Sequence, residues 1–245
     1  MIPRRIYDHV KNHNWFAVAI DFAIVVAGVL VAMQIDNWND SRKAAELERQ
    51  YLVRLATDMR SAVQKLSEAA TRNVSSQSAC KPLIRVLNDP SVPEQSIFDA
   101  MSTFVEDCWT TPDFRPVDTA FRDIAATGNL NLIRDTQLRD EIISLYDGYV
   151  DTGKAIAINH DWLLPNDARL TYEHEVLRWD SRMSALYPEW TVTERRDSIR
   201  TGREHYARVA AAYYDAKGSA NKEISHARDA TKAMLEKIET AMQGR

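Results

Sequence analysis

The sequence predicts an all-α protein: an N-terminal transmembrane helix, then an elongated antiparallel helical bundle with two long helices and several short ones. Three observations predict it. Glycine and proline are scarce, seven and eight in 245 residues, about half the usual share. The tight turns of a β-sandwich or barrel draw on both. One apolar run near the N-terminus is long enough to cross a bilayer. Two further stretches repeat apolar residues at alternating spacings of three and four, the helical period. A hydrophobic fraction of 45% excludes wholesale disorder. A net charge of −4 and a pI near 5.9 argue against a nucleic-acid partner, which calls for a basic face.

The mean hydropathy of −0.40 hides the apolar run. Phe16 to Ile35 reads FAVAIDFAIVVAGVLVAMQI, with Asp21 its one charge. At ~1.5 Å per residue these 20 residues span ~30 Å, the thickness of a bilayer core. Trp15 and Trp38 flank the run, where amphipathic rings sit at the membrane interface. A buried core helix is the bland alternative, but no other stretch is apolar enough to surround it. A cleaved signal peptide would have an apolar region of only ~7–15 residues and a small-x-small site. The run therefore reads as an uncleaved signal anchor, with a short cytoplasmic tail over 1–15, the anchor over 16–38 and an exported domain over 39–245. Arg4, Arg5 and Lys11 precede the run, and Arg42, Lys43 and Arg49 follow it, so the basic count near the membrane is tied. Long downstream domains translocate largely regardless of charge. The expected topology is a cytoplasmic N-terminus in the bacterial inner membrane and a periplasmic domain that includes the C-terminus.

Asp21 falls roughly 9 Å into the run at the helical rise. Intramembrane carboxylates default to a functional hypothesis. At 100° per residue Asp21 shares a face with Gly28, Ala32 and Asn39, and small residues let a second helix approach closely. Ala19, Ala23 and Ala27 form another small stripe. One reading makes Asp21 the partner of a donor on a packed helix. The other leaves it protonated or hydrated at the cytoplasmic interface.

The first long helix is expected over about 40–80. Asp40 or Ser41 can cap it, unless the membrane helix simply continues. Leu52, Leu55, Met59, Ala62, Leu66, Ala69 and Asn73 form its stripe, and Pro82 ends or kinks it. Short helices are expected over about 82–190. One covers Ser96–Trp109, one runs from about Pro116 to Ala126 before Gly128, and one follows Asp135 or Thr136 to about Asn159. Another is expected to cover Asp167–Leu186, after Pro165. The second long helix is expected over about 193–243, where Ile199, Tyr206, Val209, Tyr213, Ala216, Ala220, Ile224, Ala227, Thr231, Met234 and Ile238 keep the three-four rhythm. Thr193–Arg196 lacks the acidic third position of a capping box, which leaves its start approximate. Two such amphipathic helices bury their stripes by packing antiparallel.

The two cysteines, Cys80 and Cys108, both fall on apolar helix faces. In an exporting compartment they can form a disulfide, which would contribute roughly 3 to 4 kcal/mol. Two independent buried thiols are the alternative.

The stretch Asp21 to Asn39, DFAIVVAGVLVAMQIDNWN, resembles a widespread family of uncharacterised bacterial single-pass membrane proteins. Their anchor carries an acidic residue, an apolar run with a glycine, then a Gln-Ile-Asp-Asn-Trp-Asn-like motif. Thr119-Ala120-Phe121, Thr127-Gly128-Asn129-Leu130 and Leu138-Arg139 resemble a second block of the same family. The resemblance covers about a quarter of the chain. It implies a membrane-anchored helical domain and no reaction, and it marks Asp21, Gln34, Trp38 and Asn39 as a packing or exit motif.

Catalytic signatures are missing from the sequence. Gly148–Lys154 lacks the spacing of a phosphate loop, and no Gly-x-Ser-x-Gly elbow occurs. His160-Asp161 and Glu173-His174-Glu175 have no metal-ligand spacing, since adjacent helical residues point apart. Arg122, Arg134 and Arg139 near Gly128 suggest an anion site, but pairing with Asp123, Asp135 and Asp140 is the simpler reading. Trp162, Tyr172, Trp179, Tyr187 and Trp190 concentrate aromatics in 160–190. They are core packing between short helices, or a pocket or partner surface. The expected function is therefore non-enzymatic and cofactor-free. The chain reads as a single-pass interaction protein anchored in the lipid bilayer, an accessory subunit or scaffold of a membrane complex that meets a protein partner or a second copy through its transmembrane helix. The alternative is an exported ligand-binding sensor domain that signals through a partner.

Overall fold

The computed structural model describes residues 15–112, 114–183, 185–188 and 190–243. Among them every regular element is helical. The chain divides into two compact units, 1–51 and 52–245, and the boundary falls inside one helix.

That helix, α1, runs Trp15–Asn88, 74 residues without a break. The membrane run therefore continues into the first long helix, with no new start at Asp40 or Ser41. In the first unit Phe22, Val25, Leu30, Met33, Ile35 and Trp38 are all exposed. Gly28 has open space where a Cβ would project, and Ala32 and Asn39 are exposed. The side chains of Trp15 and Asp21 lie outside the described set.

In the second unit Pro82 does not end α1, one of the two outcomes expected of it, for the helix carries on to Asn88. Proline has no N–H to give the carbonyl four residues back, which costs ~3 kcal/mol. Just beyond it Leu83, Val86 and Leu87 are buried, and each contributes ~1.5–3 kcal/mol. Packing outweighs the missing bond.

The remaining elements follow in order. Helix α2 is Glu94–Thr103 and passes into a π-helical turn, Phe104–Cys108. Helix α3 is Thr119–Ala126, shorter at its start than the expected Pro116. It ends at Gly128, whose φ of +71° is the left-handed conformation that glycine adopts freely. Helix α4 is Thr136–Asp161, capped by Asp135, whose carboxylate accepts from the Leu138 N–H at 3.0 Å. Helix α5 is only Leu164–Glu173. The expected continuation to Leu186 fails because Glu175 takes a left-handed φ of 46°, after which two 3-10 turns follow, Val176–Trp179 and Ser181–Met183. Helix α6 is Val192–Gln243, 52 residues. Its start is a full capping box, two residues earlier than the one sought in the sequence. The Glu194 N–H donates to Thr191 Oγ1 at 3.2 Å, and the Thr191 N–H donates to Glu194 Oε2 at 2.7 Å.

Cross-helix pairs fix the topology. Arg60 pairs with Glu239 at 2.5 Å, Gln77 donates to the Tyr214 carbonyl at 3.0 Å, and Arg203 donates to the Leu87 carbonyl at 2.6 Å. Position rises along α1 as it falls along α6, so the two are antiparallel. Glu141–Lys237 and Tyr149–Thr231 show the same for α4 and α6. Helix α6 thus packs antiparallel against both α1 and α4.

A polar belt crosses the bundle at mid-height. Asn73 donates to the Lys217 carbonyl at 3.0 Å and to Asn221 Oδ1 at 2.9 Å, and Asn221 donates to Gln77 at 3.2 Å. Shifting α1 by one turn would strand these amides in apolar surroundings, so the belt fixes the helix register. Helix α3 is held to α1 by Asp58, which accepts the Ala120 N–H at 2.6 Å, and by the Arg54–Asp123 pair at 2.7 Å. Asp58 thereby caps α3 from another helix, since Asp118 makes no side-chain cap there.

Candidate functional site

Above the belt, α1 and α2 are joined through a disulfide between Cys80 and Cys108, with Cα atoms 5.0 Å apart. Both residues are fully buried. Directly after Cys108 the chain turns sharply. The Trp109 N–H donates to the Phe104 carbonyl at 2.7 Å, closing the π turn, and the Thr110 N–H donates to the Cys108 carbonyl at 2.8 Å. Trp109 has φ −76° and ψ 60°, an inverse γ-turn. Ser76 of α1 donates to the Asp107 carbonyl at 2.5 Å and bonds Thr110 Oγ1 at 2.9 Å. The disulfide, the π turn and Ser76 together deliver Trp109 and Thr110 to the faces of α5 and α6.

There they meet a hydrogen-bonded cluster. The Trp109 indole N–H donates to Asp167 Oδ1 at 2.9 Å, and the Tyr213 hydroxyl donates to Asp167 Oδ2 at 2.6 Å. Burial, reinforced by Asp167, pushes the Tyr213 hydroxyl pKa far above its usual value, so it stays a donor. Lys217, one turn further along α6, is 1% exposed. Its ammonium donates to the Thr110 carbonyl at 2.6 Å and to Thr110 Oγ1 at 3.2 Å. Burial lowers its pKa to about 8. Asp180 pairs with Arg182 at 2.7 Å, and that hydrogen bond holds its carboxyl below the usual range. His160 reaches Thr111 at 3.4 Å. Trp109, Thr110, Thr111, His160, Asp167, Asp180, Arg182 and Tyr213 line an open cavity of about 300 Å³, whereas Lys217 borders only a separate void of about 10 Å³.

The residues singled out in the sequence lie elsewhere, and the aromatic group divides. Trp179 and Trp190 are core residues, their rings edge-on at 5.2 Å, whereas Trp162 and Tyr172 are 79% and 84% exposed. They form no common pocket. Arg122 pairs with Asp118 at 2.7 Å. Arg139 lies 3.8 Å from Asp140, but Asp123 is taken by Arg54 and Asp135 by the α4 cap. Among the described residues no group of three or more histidine, cysteine or acidic side chains is placed to hold a metal. His174 packs instead on His205 and Tyr206, with ring centroids at 5.5 and 5.4 Å.

The site that the structure does assemble had one legible signal. Lys217 falls on the apolar stripe of α6 between Tyr213 and Ala220, at the three-four spacing. A lysine at a core position is rare unless paired. Asp167, Trp109 and His160 come from separate elements and share no sequence pattern.

Comparison with protein-family models, with curated proteins and with solved structures found no match. Fold and site define the protein as an all-helical chain. Among its described residues, one helix is long and apolar enough to cross a membrane.

Proposed function

We propose that the protein is a single-pass, membrane-anchored interaction protein without enzymatic activity, whose helical domain acts by contact with another molecule. The observation that carries this is the bare apolar surface of the first unit. The most apolar window of α1 is 0% buried. A core helix of a soluble protein would be covered by its own chain, and a run this apolar left in water would be an aggregation hazard. Lipid supplies the cover in the proposed arrangement. The open face at Gly28 and Ala32 gives a second helix room to approach, from a partner or from another copy. The N-terminus is assigned to the cytoplasm and residues 39–245 to the periplasmic side of a bacterial inner membrane, and the likeness of Asp21–Asn39 to the single-pass family supports that placement.

Photo-crosslinking from position 28 or 32 in intact membranes tests the proposal. A discrete crosslinked species is expected, and the one formed from position 32 should disappear in Gly28→Leu. No protein adduct from either position would refute helix-mediated assembly. A second reading, a ligand-binding domain that reports through a partner, is favoured by one observation, the polar cavity at Asp167 and Tyr213.

A further inference from the structure

Two histidine rings meet where the end of α5 rests on α6, and neither is fully satisfied. His174, which caps the end of α5, and His205 of α6 have ring centroids 5.5 Å apart. Nε2 of each is buried and has no hydrogen-bond partner among the described residues. The contact is close on its other sides too. The Tyr206 ring lies 5.4 Å from that of His174. A Cβ on Gly202 would stand 2.6 Å from the Tyr206 ring and 3.1 Å from His174 Nδ1, so glycine at that position admits both rings. The Tyr206 hydroxyl donates to the His174 carbonyl at 3.2 Å. Glu175, the next residue, holds a left-handed φ of 46°, a conformation that a non-glycine residue keeps only where its surroundings enforce it.

A neutral histidine can keep its one proton on Nδ1 and leave Nε2 bare. An imidazolium carries N–H at both nitrogens. Acid would therefore place an unpaired donor in each buried position, and two like charges side by side. The groups that act on the His174 ring are His205 from α6 and Glu173 and Arg169 from α5. The last two are already paired to each other at 2.6 Å. Burial, then His205, holds the His174 pKa below its ordinary 6.5; Glu173 opposes that shift and Arg169 adds to it.

We propose that the His174–His205 contact is an acid-released latch, which holds the end of α5 on α6 at neutral pH and loosens it, with the Glu175 turn behind it, when the rings take up protons. An open latch returns His174 toward its ordinary 6.5 and so binds more protons below that value than the closed one. The contact is therefore fully formed above pH 6.5 and weakens as pH falls below it.

The test is hydrogen–deuterium exchange of the full chain in detergent, read on peptides from α5 and the Glu175 turn and corrected for the intrinsic pH dependence of exchange. One unit of pKa difference is worth about tenfold in the opening equilibrium. Protection of these peptides is expected to fall by about tenfold between about pH 7.5 and about pH 5, while peptides from α4 change by less than about twofold. In His174→Gln with His205→Gln the fall should shrink to less than about twofold, because glutamine stays polar but takes no proton in this range. His205→Gln alone changes a half-buried side chain; it serves if the double variant does not fold, and should show a clearly smaller fall than wild type. Unchanged protection in wild type, an equal fall in wild type and variant, or an equal fall in α4 would overturn the latch.

Discussion

Reduction of the Cys80–Cys108 disulfide should destabilise the helical domain by a predictable amount. The bond closes a loop between positions 28 apart. The loop-closure relation, −2.1 − 1.5R ln n, then gives about 3.6 kcal/mol at 25 °C. Unfolding entropy is about 2.1 cal/mol/K per residue. Over residues 52–245 that is about 0.4 kcal/mol/K, so the loss corresponds to about 9 °C in Tm. The perturbation is Cys80→Ala with Cys108→Ala, alongside wild type with and without reductant. Tryptophan fluorescence is the suitable probe, because Trp179 and Trp190 lie in the core while α1 dominates the circular dichroism. The bond also anchors the turn that carries Trp109, so the Trp109–Asp167 contact should loosen with it. Reduced wild type and the double variant should both melt about 9 °C lower. A change under about 2 °C, or alkylation of either cysteine in unreduced native protein, would refute the reasoning.

Two further outcomes follow from the packing. Asp58→Ala removes the cross-helix cap on α3 and should cost about 1 kcal/mol, read by denaturant titration. A loss below about 0.3 kcal/mol would show that Ala120 finds another acceptor. Lys217 has a folded pKa near 8 against an ordinary 10.5, so between those values the unfolded chain binds more protons than the native one. Stability attributable to this group therefore rises from pH 8 to 10.5. Chemical denaturation should show that slope in wild type and a flatter one in Lys217→Met. Equal slopes would contradict the burial of a charged lysine.

The extent to which the fold was legible follows from how local each signal is. The α6 stripe from Ile199 to Ile238 is periodic over many turns, and both the helix and its buried face agree with it. Pro82 misled because its local cost is overcome by Leu83, Val86 and Leu87, whose burial depends on α2 and α6. The stop of α5 at Glu173 was hidden because the left-handed residue beyond it is Glu175, where a sequence reader looks for glycine. The capping box was missed by two residues, since Thr191 lies just before the periodic pattern. The polar cluster drew Trp109, Asp167 and Tyr213 from three elements. Only their packing brings them together, and Lys217 on an apolar stripe was its one visible trace.

Alkaline carbonate extraction of membranes from cells making the full chain tests the anchored-protein account most directly. The exposed apolar run of Phe22–Ile35 predicts that the chain stays in the membrane pellet, and that a variant lacking residues 16–38 moves to the supernatant. Quantitative release of the intact full chain by carbonate would contradict the account.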